Sequence, residues 1–168
     1  MSLSMYQASV PVFTQALNAL AVIFDKAEKH AEAKKIDPAA LLQARLYPDM
    51  YTLTQQVQVA TDTAKRVAGR LAGAELPKYE DNEKSFPEIQ ARIAKTLAFL
   101  ATLKPAQIDG SEDRDISVPL GRETRIIKGQ AYLLGFGMQN FMFHVATAYD
   151  ILRHNGVEIG KRDFIGAR

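Results

Sequence analysis

Asn140 and His144 stand four residues apart in NFMFHVATAYDILRHNG, a segment dense in apolar side chains. On an α-helix that spacing puts an amide and an imidazole one above the other on a single face. An imidazole can ligate a metal, act as a general base near neutral pH, or lie in a core with one satisfied hydrogen bond. A second amide, Gln56 in QQVQ, adjoins the apolar stripe of an earlier helical segment, so its side chain can turn inward toward a facing helix. One imidazole and two amides form a weak set for zinc or another transition metal. Amide oxygens are neutral and harder than the imidazoles and carboxylates that usually hold such ions. The competing reading is a buried histidine hydrogen-bonded to an amide across the core.

Other groups carry less chemistry. Tyr149 and Arg153 share a face of the same helix, where they either line a pocket mouth or pack and snorkel. Arg45 and Asp49 in ARLYPDM have the spacing of an i,i+4 pair, or of a carboxylate favoured by a helix N-terminus. In GKRDFI, the charges of Lys161, Arg162 and Asp163 are suited to pinning the tail by ion pairs, with Phe164 and Ile165 buried against the body. A subunit contact is the alternative. His30 falls in the charged run DKAEKHAEAKK and reads as solvated. The chain has no cysteine, which excludes disulfides, thiolate ligands and thiol nucleophiles. GFG in LLGFGMQ lies within a helical pattern and suits close helix approach better than phosphate binding. A formal charge of +2 with no basic patch interleaved with aromatics argues against nucleic acid. A lone inward histidine without an acidic orienter makes no triad.

The elements that position these groups are mostly helical. Tyr6, Val10, Phe13, Leu17, Leu20 and Phe24 recur at steps of four and three, which predicts a first helix from about Ser4 to about Ala33. Pro11 either kinks its first turns or marks a late start. Asp37-Pro38 opens a short helix through PAALLQARL. A second long helix begins near Pro48, carries Met50, Leu53, Val57, Ala60, Ala64, Val67 and Leu71 inward, and stops at Gly73. Ser85 and Glu88 have capping-box spacing ahead of Phe86, Ile89, Ile93, Leu97, Leu100 and Leu103. Ile116, Val118 and Leu120 then alternate with polar or small residues before Gly121-Arg122, which predicts a small hairpin confined to an edge by Pro119, with an irregular loop as the alternative. The last helix covers about Gly129 to His154. Its face is wide, with Leu134, Met138, Phe141, Val145 and Leu152 beside Leu133, Gly137, His144 and Ile151, so it is expected to be the most buried. Four amphipathic helices in 168 residues, with no fixed repeat, make an all-α four-helix bundle forming one domain over 1–168. Residues 1–24 carry no charge, but Gln7, Ser9, Thr14, Gln15 and Asn18 interrupt them and no basic region precedes them. They read as a helix of a cytoplasmic protein, with no membrane partner.

HVATAYDILRHNGVEIGKRDF resembles the last helix and tail of the DinB/YfiT-like superfamily, whose bundles often end in HxxxHRGQI followed by LLRxxG. MSLSMYQASVPVF and RLYPDMYTLTQQVQVATD resemble an uncharacterised bacterial branch of it, and the likeness covers nearly the whole chain. The resemblance implies a DinB-like bundle with a short extra helix and a hairpin before the last helix. Metal-binding members bring three histidines to nickel or zinc, and some transfer low-molecular-weight thiols or hydrolyse small substrates. Sliding LRHNG onto the family ending puts His144 on the second histidine of HxxxH and Asn140 on the first. The remaining ligand falls near Gln56. The set Gln56, Asn140 and His144 is then a degenerate metal site, and no cofactor is expected. The function implied is small-molecule binding or a structural role, with a homodimer by analogy. A metal-dependent transferase or hydrolase, using His144 as ligand or general base, is the alternative.

Overall fold

The computed structural model describes residues 3–166. Four long helices form the bundle: α1 (Val10–Lys34), α3 (Leu53–Ala72), α4 (Phe86–Thr102) and α7 (Met138–His154). α1 packs on α4 and α7, and α3 packs on the same two from the opposite side. The predicted stripes meet at the centre, where Phe13 lies edge-on to Phe141 with ring centroids 4.8 Å apart and Phe24 meets Phe86 at 6.0 Å. Each buried ring contributes on the order of 1.5–3 kcal/mol of apolar transfer energy.

Local chemistry sets the boundaries. Pro11 occupies the first turn of α1, so it marks a late start and not a kink. α1 ends at Lys35, whose left-handed φ of 56° turns its N–H back to the Ala31 and Glu32 carbonyls. The short α2 (Pro38–Leu42) is capped by the Asp37 carboxylate on Ala39 N–H at 2.9 Å, and stops well before Leu46. α3 starts at Leu53 and not near Pro48, because Thr52 and Gln55 form a capping box that fixes the first turn there. Ser85 caps α4 as its spacing predicted. A single turn, α5 (Pro105–Ile108), follows.

The hairpin is present as β1 (Asp115–Leu120) and β2 (Glu123–Lys128), antiparallel, with Ile116 opposite Ile127 and Val118 opposite Arg125. Gly121 takes φ 64° in the two-residue turn, a conformation that costs glycine little. Ile116 and Val118 are buried, whereas the Leu120 side chain lies outside the described set. The last helical rod begins with α6 (Gly129–Ala131) and passes through a π-helical turn (Tyr132–Gly137) before α7. A Cβ on Gly137 would come within 2.6 Å of Val67 Cγ2, so this glycine lets the rod approach α3. Gly135 meets nothing within 4 Å. α8 (Lys161–Ile165) lies on α1, held by Lys26–Asp163 at 2.6 Å, although Ile165 itself is 53% exposed.

The most buried helix is α3, not the last one. Fourteen of the 20 residues of α3 are buried against seven of the 17 in α7, where Leu134 just before it and Phe143 within it face outward. α3 is covered by α4, α7 and α5 together. Among the described residues no helix is long and apolar enough to cross a membrane.

Candidate functional site

The capping box of α3 directs the next residue, Gln56, into the bundle, where it is 1% exposed. Its Nε2 donates to the Tyr51 carbonyl at 3.2 Å, and its Oε1 lies 2.6 Å from His144 Nδ1. Turning the amide over would set its oxygen against the Tyr51 carbonyl oxygen, so the first bond orients the second. His144 Nδ1 therefore carries the proton and donates it, and Nε2 keeps its lone pair. Tyr51 lies nearly parallel to the imidazole, with centroids 6.3 Å apart, and Phe143 meets it edge-on at 5.2 Å. Burial lowers the His144 pKa below the ordinary value, which keeps the ring neutral at pH 7. Asn140 lies one turn away on the same face, but its Nδ2 donates to Thr63 Oγ1 at 3.1 Å.

The model for the family described as "Domain of unknown function (DUF1993)" matches residues 5–165. The chain belongs to the DUF1993 family. A crystal structure of a DinB family member protein from Shewanella denitrificans is 40% identical, with a TM-score of 0.89 over 97% of this chain and 92% of that one. The DinB-like fold and its unknown-function branch follow from these two findings. No curated protein matches the chain.

In this DUF1993 chain the three residues aligned with a metal triad do not aim at one point. Gln56 Oε1 is engaged by Nδ1–H, while the free ring nitrogen is Nε2, and the N–H and lone-pair directions of a neutral imidazole diverge. Asn140 is turned to Thr63. The donors therefore do not fit a tetrahedral nickel or zinc site. Nor do three or more His, Cys, Asp or Glu side chains gather elsewhere among the described residues. Tyr149 and Arg153 lie apart from this pair. Five and nine residues beyond His144, they point about 140° and 180° around the helix from it. Tyr149 packs edge-on to Phe164 of α8 at 5.6 Å, and Arg153 is exposed. Arg45 donates to the Met50 carbonyl, and Asp49 precedes α3 without joining it.

Sequence reasoning missed a second polar group. Arg92 of α4 is 3% exposed and bonds to Thr61 Oγ1 at 2.8 Å, Glu83 Oε1 at 2.9 Å, Asp62 Oδ1 at 3.1 Å and the Glu80 carbonyl at 3.2 Å. Lys65, also 3% exposed, reaches Asp62 at 2.9 Å and lies 3.7 Å from the centre of the Tyr79 ring. Burial pulls the Lys65 pKa down against the opposing pull of Asp62. Burial pushes Glu83 up, but hydrogen bonds from Gln58 and Arg92 outweigh it and leave the carboxyl below its ordinary value. This network ties the loop before α4 across α3. One signal was available: Arg92 falls on the inner stripe of α4, three residues after Ile89 and four before Thr96.

Two clefts flank the outer ridge of α3 and share Val59 and Arg66. The smaller, about 260 Å³, includes Tyr51, Gln55 and Asp81. The larger, about 380 Å³, runs between α3, the hairpin and the π turn, with Asn140, Thr63, Arg70 and Tyr132 among its walls. The π turn brings Tyr132 and Phe136 into near-parallel stacking at 6.0 Å, on the wall of that cleft. π-helical turns occur often at functional sites.

Proposed function

We propose that this DUF1993 protein is a small-molecule-binding bundle working without a resident transition metal, and that its ligand occupies the cleft of about 380 Å³ between α3, the hairpin and the π turn. The observation that carries the reading is the composition of that cleft. Val67, Val118, Pro119 and Phe136 give apolar walls, and Asn140, Thr63, Arg70 and Tyr132 give a few convergent polar groups. Small-molecule sites have this make-up and this range of volume. The His144–Gln56 bond braces α7 against α3 beside the cleft and presents no group to a shared ion. His144 then serves as a core residue whose hydrogen bond fixes the register of Asn140, one turn earlier on the same face.

Mass spectrometry of small molecules released on denaturing the purified protein, followed by thermal shift with each candidate, tests the reading. A ligand that binds only the folded state raises apparent stability. Val59→Trp, at the ridge shared by the two clefts, is expected to abolish the shift while leaving the unliganded protein folded. A ligand whose shift survives Val59→Trp and Asn140→Leu alike would place binding elsewhere. We extend the proposal to a homodimer, which would cover exposed apolar side chains such as Val22, Leu134 and Phe143. Sedimentation equilibrium giving the mass of a single chain would remove that part.

A further inference from the structure

We propose that the ligand of the α3–hairpin cleft carries a carboxylate on a compact apolar body, and that Arg70 is the group that receives it. This inference rests on the assignment of the cleft as a binding site. It begins from the local charges. Asp62 alone meets three cations, Lys65 at 2.9 Å, Arg66 at 2.5 Å and Arg92 at 3.1 Å. Arg92 also takes Glu83 at 2.9 Å and Asp81 at 2.9 Å. Arg70, one turn beyond Arg66 on α3, has no carboxylate partner among the described residues. The cleft end of this network therefore retains positive charge, and its source is Arg70.

Arg70 is also held in place. Its Nη1 donates to the Tyr132 hydroxyl at 3.0 Å, and Tyr132 is 1% exposed, so a rigid neutral anchor fixes one edge of a half-buried guanidinium. The fork leaves further N–H donors, whose spacing matches the two oxygens of a carboxylate. A guanidinium oriented before binding loses less freedom on capturing an anion. Around it, Val67 of the same helix and Val118, Pro119 and Phe136 offer apolar contact, with the Phe136 ring stacked on Tyr132. Asn140 spends an N–H on Thr63 Oγ1, which leaves its carbonyl oxygen to accept a donor from the ligand. The walls thus call for an anionic head, a short apolar or aromatic body and, where present, one hydrogen-bond donor. Phosphate esters are a poorer fit, because Arg66, the other guanidinium on the cleft, is paired with Asp62, and Arg70 alone cannot balance a dianion.

The test uses matched probes on the whole protein: 3-phenylpropanoate and hexanoate against the neutral 3-phenylpropanamide and hexanamide. Binding is followed by amide chemical-shift changes in two-dimensional NMR. The carboxylates are expected to shift resonances of Val67, Arg70, Val118 and Phe136, and to bind at least about tenfold tighter than the amides, which is 1.4 kcal/mol or more. Arg70→Gln keeps a donor for Tyr132 but removes the charge, and is expected to erase that preference. Arg70→Lys is expected to restore part of it, which guards against a merely unfolded variant. Amides that bind in the cleft as well as carboxylates, or a preference that survives Arg70→Gln, would overturn the carboxylate assignment while leaving the cleft as a binding site. No shifts in the cleft with any of the four probes would overturn both.

Discussion

Replacing Arg92 with methionine keeps the length and apolar stem of the side chain and deletes its charge. Glu83, whose side chain is 10% exposed, then loses the cation it pairs with, while Asp62 keeps Lys65 and Arg66. Removing one member of a buried ion pair costs about 3–5 kcal/mol, because the other charge stays buried without compensation. Asp81 adds little, since it is 59% exposed and such a pair is screened. Against a total stability of about 5–15 kcal/mol, the loss is a large fraction. At about 2–4 °C per kcal/mol for a chain of this size, it corresponds to a fall in Tm of roughly 6–20 °C.

The pH dependence sharpens the prediction. The folded Glu83 pKa lies below the ordinary 4.5, so its contribution is present above that value and is lost as pH falls through the folded pKa. In Arg92→Met one of the bonds that lowers it is gone while burial remains, so protonation relieves the variant. The stability gap between the two proteins is therefore expected to narrow in acid. Urea denaturation at neutral pH and at about pH 4, on wild type, Arg92→Met, Glu83→Gln and the double variant, measures both effects, with coupling of about 0.5–3 kcal/mol in the cycle. A loss below about 1 kcal/mol at neutral pH, as for an exposed pair, would refute the claim that this network holds the loop to the bundle.

Other expectations follow from the same geometry. Because burial lowers the His144 pKa below 6.5, the unfolded state takes up a proton first as pH falls through that value, so stability declines there; His144→Gln should flatten that limb in urea melts. Chelation by EDTA is expected to leave Tm unchanged, and elemental analysis showing stoichiometric nickel or zinc that disappears in His144→Ala would contradict the donor geometry. Gly137→Ala drives a methyl into Val67 and should cost about 1–3 kcal/mol by overpacking, whereas Gly135→Ala, with open space around it, should stabilise by about 0.5–1 kcal/mol in thermal melts.

The readable parts of this sequence were those governed by short-range rules. Apolar steps of three and four placed the stripes of α1, α3 and α4, Asp37 and Ser85 announced their caps, and alternation before Gly121 announced the hairpin. The start of α3 was misjudged because a proline at 48 competed with a capping box at Thr52 that polar glutamines concealed. The π turn left no periodic trace, since six residues are too few to change a pattern. Within the candidate site, inward placement of Gln56 and His144 followed from helix faces, whereas Asn140 is half-buried on the cleft wall, and what each amide bonds to depended on Tyr51 and Thr63, which sit at unrelated points in the chain. Arg92 was overlooked for a similar reason: its partners come from Thr61, Asp62 and a loop, and only the fold assembles them.

A π turn holds one residue more than an α turn would need to span the same stretch of rod. Were the same residues wound as a regular α-helix, everything upstream would swing by about 100° about the axis relative to Met138. Tyr132 would leave Arg70, and the ribbon of 115–128 would be pulled off its seat. The surplus residue thus acts as a phase-shifter: it lets one rod answer to the bundle at its far end and to the ribbon at its near end, two demands that a regular helix could not meet together.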